Sequence, residues 1–318
     1  MKHTLKVLKK ANRVALFSHS SPDPDTIGST LALFVALKEL GKSVDLFCDS
    51  EMPTNFGFID EYNFYNSAYS SYDLLVAVDV AKLDMLGQFA DTFSSHANTL
   101  RIDHHMIGEC YAKHNLVKNH SACSILIFEI IQKLKVKVSP KIATLLFFAL
   151  AGDTSCFRNS GTNSESFFVA SKLLELGANQ NLVYAEYFDK KTVPYLMLTS
   201  SCILNAEIDE KLGFVIMTAT LNDYKKCNAT VNESVGNLPN MFLSCGFKVA
   251  VILKEKEDGI RCSFRSAPEI EANKIASVFG GGGHKNAAGC LIEKSMSKAK
   301  NDVKKAIKNY LTKGGTTC

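Results

Sequence analysis

Thr99-Leu100-Arg101-Ile102-Asp103-His104-His105 is the stretch whose reading decides the fold of the first half of this chain. A β-type run empties directly into three adjacent side chains that can each bind a divalent metal. In open α/β sheets, ligands bind outside the carboxyl ends of the strands. The same grammar recurs elsewhere: His19-Ser20-Ser21-Pro22-Asp23-Pro24-Asp25 follows the run Val14 to Phe17, Asp79 follows Leu74 to Val78, and Asp153 follows an apolar helical stretch.

Working outward, Ile27 to Leu40 carries apolar residues at helical spacing and is stopped by Gly41. Val44 to Phe47 reads as a strand, and the continuous apolar run Leu74 to Val78 as a strand buried in a parallel sheet. Helix patterns fall near residues 84–95, 124–134, 140–150 and 165–176, with Asp153 expected in a loop. Strands alternating with helices predict an α/β domain with a parallel sheet over residues 1–185. Its Phe and Tyr cluster at 56–72 reads as a packed loop.

Residues 186–206 read as a helical connector. Residues 207–318 then predict a smaller α/β domain with a mixed or antiparallel sheet, with strands near 214–218, 247–253 and 260–264. Asp258-Gly259 marks a hairpin between the last two. A Lys-rich helix near 296–311 closes the chain, with Met296, Ala299, Val303, Ile307 and Tyr310 as its apolar stripe.

With 318 residues, 46% hydrophobic and 21% charged, the composition is that of an ordinary globular protein. The net charge of +4 suits a small anionic substrate and is weak for gripping long duplex nucleic acid. Ten cysteines are scattered without a C-x-x-C pair, and no apolar run approaches membrane length. A reduced, cytoplasmic protein with no membrane association is the expectation. Cys123 and Cys156 read as packing residues, and His96, His114 and His120 as surface or loop residues.

Taken singly, Ser-Ser-Pro-Asp-Pro-Asp is turn and N-cap chemistry, and Asp79 or Asp153 could each be a cap. Four acidic or imidazole clusters at separate element ends make a metal site the better account. His19, Asp23, Asp25, Asp79, His104 and Asp153 offer two imidazoles and four carboxylates, and four negative charges balance two divalent cations. An extended Asp23-Pro24-Asp25 would point its carboxylates toward different ions. A thiolate-free O/N donor set favours two Mn²⁺, with Mg²⁺, Co²⁺ or Zn²⁺ also suited. Gly280 to Gly283 can adopt positive φ and turn N–H groups inward as an anion nest, followed by His284 and Lys285.

The order His-x-x-x-Asp-x-Asp, Asp, Asp-His-His, Asp and Gly-Gly-Gly-His resembles the DHH/DHHA1 phosphoesterase superfamily. Within it, the nanoRNase/pAp phosphatases are the nearer similarity. Flanking pieces add to it: Ile27-Gly28-Ser29, Gly152-Asp153-Thr154 with Phe157-Arg158, and Ser263-Phe264-Arg265-Ser266. The resemblance implies that His19, Asp23, Asp25, Asp79, His104 and Asp153 are the metal ligands, with Asp79 the bridge. It implies that His105 faces the substrate phosphate and that Asp103 orients its neighbours. It also implies that Arg265, Ser266, Gly282, Gly283 and His284 bind the substrate's phosphate or nucleotide, with Arg158 a further candidate.

Two positions depart from the family pattern: Pro24 stands where glycine is usual, and Val80-Ala81-Lys82 replaces the usual basic residue after the aspartate. The implied activity is two-metal hydrolysis of short oligoribonucleotides to mononucleotides and removal of the 3′-phosphate from pAp (3′-phosphoadenosine 5′-phosphate). Cyclic or linear dinucleotides, a RecJ-type exonuclease role and a non-catalytic nucleotide-binding regulator are the alternatives. A homodimer is compatible with this reading.

Overall fold

β1 (Arg13–Phe17) sends alternate side chains into two different cores. Val14 and Leu16 enter one apolar cluster, Ala15 and Phe17 another, because successive strand residues face opposite sides. A computed structural model describes residues 1–50, 57–59, 62–65, 71–106, 108–159, 161–230, 235–236 and 238–312. Parts of the aromatic segment expected at 56–72 lie outside the described residues. The chain divides into two compact units, Met1–Lys190 and Lys191–Cys318.

The first unit holds β1, β2 (Ser43–Phe47), β3 (Phe64–Tyr65), β4 (Leu74–Val78), β5 (Thr99–Asp103) and β6 (His114–Val117). They form a parallel sheet of order β3-β2-β1-β4-β5-β6. Every residue of β4 and β5 is buried, as befits strands covered on both faces. Strand order reverses at β1, so the loops leaving β1 and β4 diverge and open a crevice at their carboxyl ends.

The helices are α1 (Lys2–Lys10), α2 (Pro24–Glu39), α3 (Ala90–Ser95), α4 (Cys123–Leu134), α5 (Pro140–Asp153), α6 (Ser164–Glu175) and α7 (Gln180–Val183). α2 and α5 approach so closely that a Cβ on Gly28 would lie 2.5 Å from the Leu145 carbonyl oxygen. The helix expected over 84–95 is broken: a 3₁₀ segment, Leu83–Phe89, turns at Gly87 with φ 56° before α3 begins. Asp153 is the last residue of α5 rather than part of a loop.

In the second unit, α8 (Val193–Leu204) buries Leu198 and Cys202 in the same cluster as Val215 and Met217. The segment 186–206 is therefore divided between the two units. β7 (Glu207–Asp209), β8 (Phe214–Ala219), β9 (Val249–Lys256), β10 (Gly259–Ser266), β11 (Gly282–His284) and β12 (Ala287–Ile292) form a sheet of order β11-β12-β10-β9-β8-β7. It is mixed, with β8 and β9 parallel and the other pairs antiparallel.

α9 (Leu221–Lys226), α10 (Leu238–Ser244), α11 (Ala272–Ser277) and α12 (Met296–Thr312) complete this unit. Ala299, Val303, Ile307 and Tyr310 of α12 share a core with Ile260, Cys262 and Phe264 of β10. No helix among the described residues is long and apolar enough to cross a membrane.

Candidate metal centre

Asp79 comes immediately after β4 with φ +60°, a left-handed conformation that costs a non-glycine residue roughly 1–2 kcal/mol. Its amide still donates to the Ile102 carbonyl at 2.9 Å, extending the β4–β5 ladder by one bond. The side chain is buried, and among the described residues Asp79 Oδ1 has no hydrogen-bond partner. A buried, unpartnered carboxylate oxygen is expensive unless a cation meets it.

His104 supplies the neighbouring imidazole. Its Nδ1 lies 3.0 Å from the His120 carbonyl, which can only accept, so Nδ1 carries the proton and Nε2 the lone pair. Nε2 faces three carboxylates, Asp79 Oδ1 at 3.5 Å, Asp153 Oδ2 at 3.6 Å and Asp25 Oδ2 at 3.8 Å. These gaps are too long for hydrogen bonds and suit donors arranged around a shared cation. Potential ligand atoms of His19, Asp23 and Asp79 also lie within 4.8 Å of one another.

Asp23 is the N-cap of α2: its Oδ1 accepts from the Asp25 and Thr26 amides at 3.0 Å each, while Oδ2 lies 3.8 Å from His19 Nε2. One side chain therefore caps the helix through Oδ1 and turns Oδ2 toward His19. The expected extended Asp23-Pro24-Asp25 is corrected, since Pro24 and Asp25 already belong to the first helical turn. Pro24 is accommodated by Gly152, where a Cβ would lie 2.3 Å from the Pro24 Cβ.

Asp25 is buried, and its oxygens accept from Ser29 Oγ at 2.9 Å, Cys123 N at 2.6 Å and Ser124 N at 3.1 Å. The two amides open α4, where the helix dipole favours negative charge. Burial, then repulsion from Asp153 and Asp23, pushes the Asp25 carboxyl well above its usual range. Burial also pushes Asp79 up, helped by Asp25, Asp23, Asp103 and Asp153, and burial raises Asp153 against the pull of His104. Carboxylates so crowded call for positive charge.

Asp103 organises the Asp-His-His turn. Its Oδ1 accepts from the amides of His104 at 2.7 Å and His105 at 3.1 Å, and from His105 Nδ1 at 2.8 Å. Its other oxygen meets the buried guanidinium of Arg101, which also donates to the carbonyls of Val80 and Glu109. Burial would raise this carboxyl, but His105 and Arg101 hold it down at about 2. Asp103 in turn raises the His105 imidazole above its ordinary value despite burial. With Nδ1 engaged, His105 presents Nε2 outward on a side chain that is 45% exposed.

The sequence assigns no site-building role to Arg101 or to the His120 carbonyl, and Ser29 and Gly152 appear in it only as flanking pieces of the family pattern. A charged residue inside a buried strand was the available signal for Arg101; a main-chain oxygen leaves none. His120 lies in the loop between β6 and α4, as expected, but its side chain is only 9% exposed. Burial raises the Cys123 thiol well above its usual value, which agrees with a packing role.

Arg158 is exposed, and its Nε donates to the Ser155 carbonyl on a turn where Ser155, Cys156 and Phe157 all have positive φ. In the second unit, Arg265, Ala287 and His284 form one row across β10, β12 and β11, so Arg265 and His284 share a sheet face. Ser266 is buried, donating to the Ile270 carbonyl and accepting from Asn286. Gly282 and Gly283 belong to an exposed edge strand rather than an open nest.

The family model described as "DHH family, N-terminal domain" matches residues 13–150, and the DHHA1 domain model matches residues 224–313. The chain belongs to the DHH/DHHA1 family. It is 27% identical to the bifunctional oligoribonuclease and PAP phosphatase NrnA of Thermus thermophilus, over 95% of this chain and 91% of that protein. It is 24% identical to the protein of the same name from Bacillus subtilis, over 91% and 92%. Its fold is like that of an exopolyphosphatase-related protein from Bacteroides fragilis (TM-score 0.90, 23% identity, 98% and 96% covered). It is also like that of Thermus thermophilus RecJ crystallised with Mn²⁺ (TM-score 0.60, 15% identity, 98% and 54% covered).

Proposed function

We propose that this DHH/DHHA1 chain is a divalent-metal-dependent phosphoesterase that hydrolyses short oligoribonucleotides to mononucleotides and removes the 3′-phosphate from pAp. The observation that carries the reading is Asp79, whose buried Oδ1 is unpartnered among the described residues and lies 3.5 Å from His104 Nε2, and which also groups with His19 and Asp23. His19, Asp23 and Asp79 would hold one cation, and Asp25, His104 and Asp153 the second, with Asp79 shared. The donor set of carboxylates and imidazoles without thiolate suits Mn²⁺ ahead of Mg²⁺, Co²⁺ or Zn²⁺. Such ions, when bound, would supply positive charge for activating water and neutralising phosphoryl oxygens.

The protein's own groups do the rest. Asp103 fixes the His105 ring through Nδ1 and raises its affinity for protons, so that a protonated Nε2 can donate to a phosphoryl oxygen or protonate the leaving ribose oxygen. Arg265 and His284, on one face of the second sheet, would bind a substrate phosphate, with Gly282 and Gly283 permitting close approach. The names of the relatives support these substrates, and the modest net charge of +4 fits short ones.

The test supplies Mn²⁺ and compares turnover of pApA, longer oligoribonucleotides, pAp and cyclic di-AMP. The expected ranking puts pApA and pAp first, with activity abolished by EDTA and by His104→Ala. Turnover indifferent to both treatments removes the mechanism, and nucleotide binding without hydrolysis favours a regulator.

A further inference from the structure

His120, Glu129 and Glu165 form a separate cluster in the first unit, and ligand atoms from all three lie within 4.8 Å of one another. Each comes from a different element: His120 from the segment between β6 and α4, Glu129 from α4, Glu165 from the first turn of α6. His120 Nδ1 lies 2.8 Å from Glu165 Oε2. A carboxylate accepts, so Nδ1 carries the proton and Nε2 the lone pair. That Nε2 is buried and has no hydrogen-bond partner among the described residues. It faces Glu129 Oε1 at 3.9 Å, beyond hydrogen-bonding distance.

We infer that His120 Nε2 and Glu129 Oε1 hold a further divalent cation, distinct from the Asp79 centre, with Glu165 fixing the imidazole. Bonds of about 2.0–2.2 Å at a tetrahedral angle set two donors about 3.3–3.6 Å apart, so closing the gap by a few tenths of an ångström seats one Zn²⁺ between them. A carboxylate on the far ring nitrogen is the usual support of a metal-binding histidine. Lys118 Nζ pairs with Glu129 Oε2, leaving Oε1 for the ion. One imidazole with one carboxylate oxygen suits a first-row divalent cation, and Zn²⁺, which binds such donors more tightly than Mn²⁺ in the divalent series, is the probe. The site adjoins the metal centre, because the His120 carbonyl is the group that orients His104.

The test counts total divalent ions per chain by elemental analysis, after equilibrium dialysis of the full chain against Zn²⁺. The wild type is expected to hold one ion more than Glu129→Gln. Glu165→Gln is expected to weaken Zn²⁺ binding at this site about 10–100-fold. The count is a difference, so it stands whatever the occupancy of the Asp79 centre. In the unsubstituted protein, added Zn²⁺ should move the His120 Nε2 ¹⁵N resonance while Nδ1 stays protonated. Equal ion counts in wild type and Glu129→Gln, or an Nε2 resonance that ignores Zn²⁺, overturns the inference.

Discussion

Gly152→Ala should damage the metal centre without touching any of its donors. The added Cβ would lie 2.3 Å from the Cβ and 2.9 Å from the Cγ of Pro24, where ordinary contact begins at 3.4 Å. A proline ring cannot rotate away, so the start of α2 must move by about 1 Å, at an overpacking cost of about 1–3 kcal/mol. At about 2–4 °C per kcal/mol for a unit of this size, melting should fall by roughly 2–12 °C. Asp23 and Asp25 flank that ring, and a displacement of about 1 Å in positioning groups can cost about 100-fold in rate. The decisive assay is a double-mutant cycle with Pro24→Gly, followed by thermal melting and by Mn²⁺-dependent turnover of pApA. Without the ring, the nearest remaining atom of residue 24 is its Cα at 3.6 Å, an ordinary contact. Pro24→Gly alone should cost about 0.4–1 kcal/mol through the unfolded chain. The double variant should match Pro24→Gly within about 0.5 kcal/mol. Additive losses would refute the steric account of how Pro24 is accommodated.

Three further outcomes follow from the same contacts. Asp103→Asn leaves the buried Arg101 guanidinium without its carboxylate and should destabilise by about 3–5 kcal/mol. Because the folded Asp103 carboxyl is held at about 2, its contribution is present above the unfolded value near 4 and is lost as pH falls toward 2; acid titration of the melting point should show a flatter limb in the variant. Chelation should have the opposite pH signature: Asp25, Asp79 and Asp153 bind protons more tightly when folded, so EDTA-treated protein should lose stability as pH rises above the unfolded carboxyl value near 4. Mn²⁺ should flatten that slope, and identical slopes in melting scans would remove cation neutralisation as the explanation. Gly281→Ala would place a Cβ 2.2 Å from the Gly289 carbonyl oxygen, and isothermal titration should show unchanged Mn²⁺ binding alongside a more than tenfold (~10×) loss of pAp turnover if β11 contributes to substrate binding.

The parallel sheet was legible because Val14 to Phe17 in β1 and Leu74 to Val78 in β4 write their burial as unbroken apolar runs, while in β5 only the buried Arg101 interrupts Leu100 and Ile102. β6 was not, since His114-Asn115-Leu116-Val117 lies at a sheet edge and its mixed burial leaves no clear period. The break at Gly87 is a backbone conformation that helical periodicity cannot express. At the metal centre, side chains with chemistry of their own could be found by type and position. Their supports were hidden: Asp25 is held by amides 98 and 99 residues away, and His104 by a main-chain oxygen that any residue at 120 would provide. Asp23 shows why motif and cap could not be separated beforehand, since its two oxygens serve one purpose each.

The left-handed twist of the chain at Asp79 also dictates how that position should be engineered. Asparagine tolerates such a conformation better than most residues and matches aspartate in shape. Asp79→Asn therefore subtracts one charge while the strand keeps its trace, whereas Ala or Glu would disturb charge, reach and backbone together.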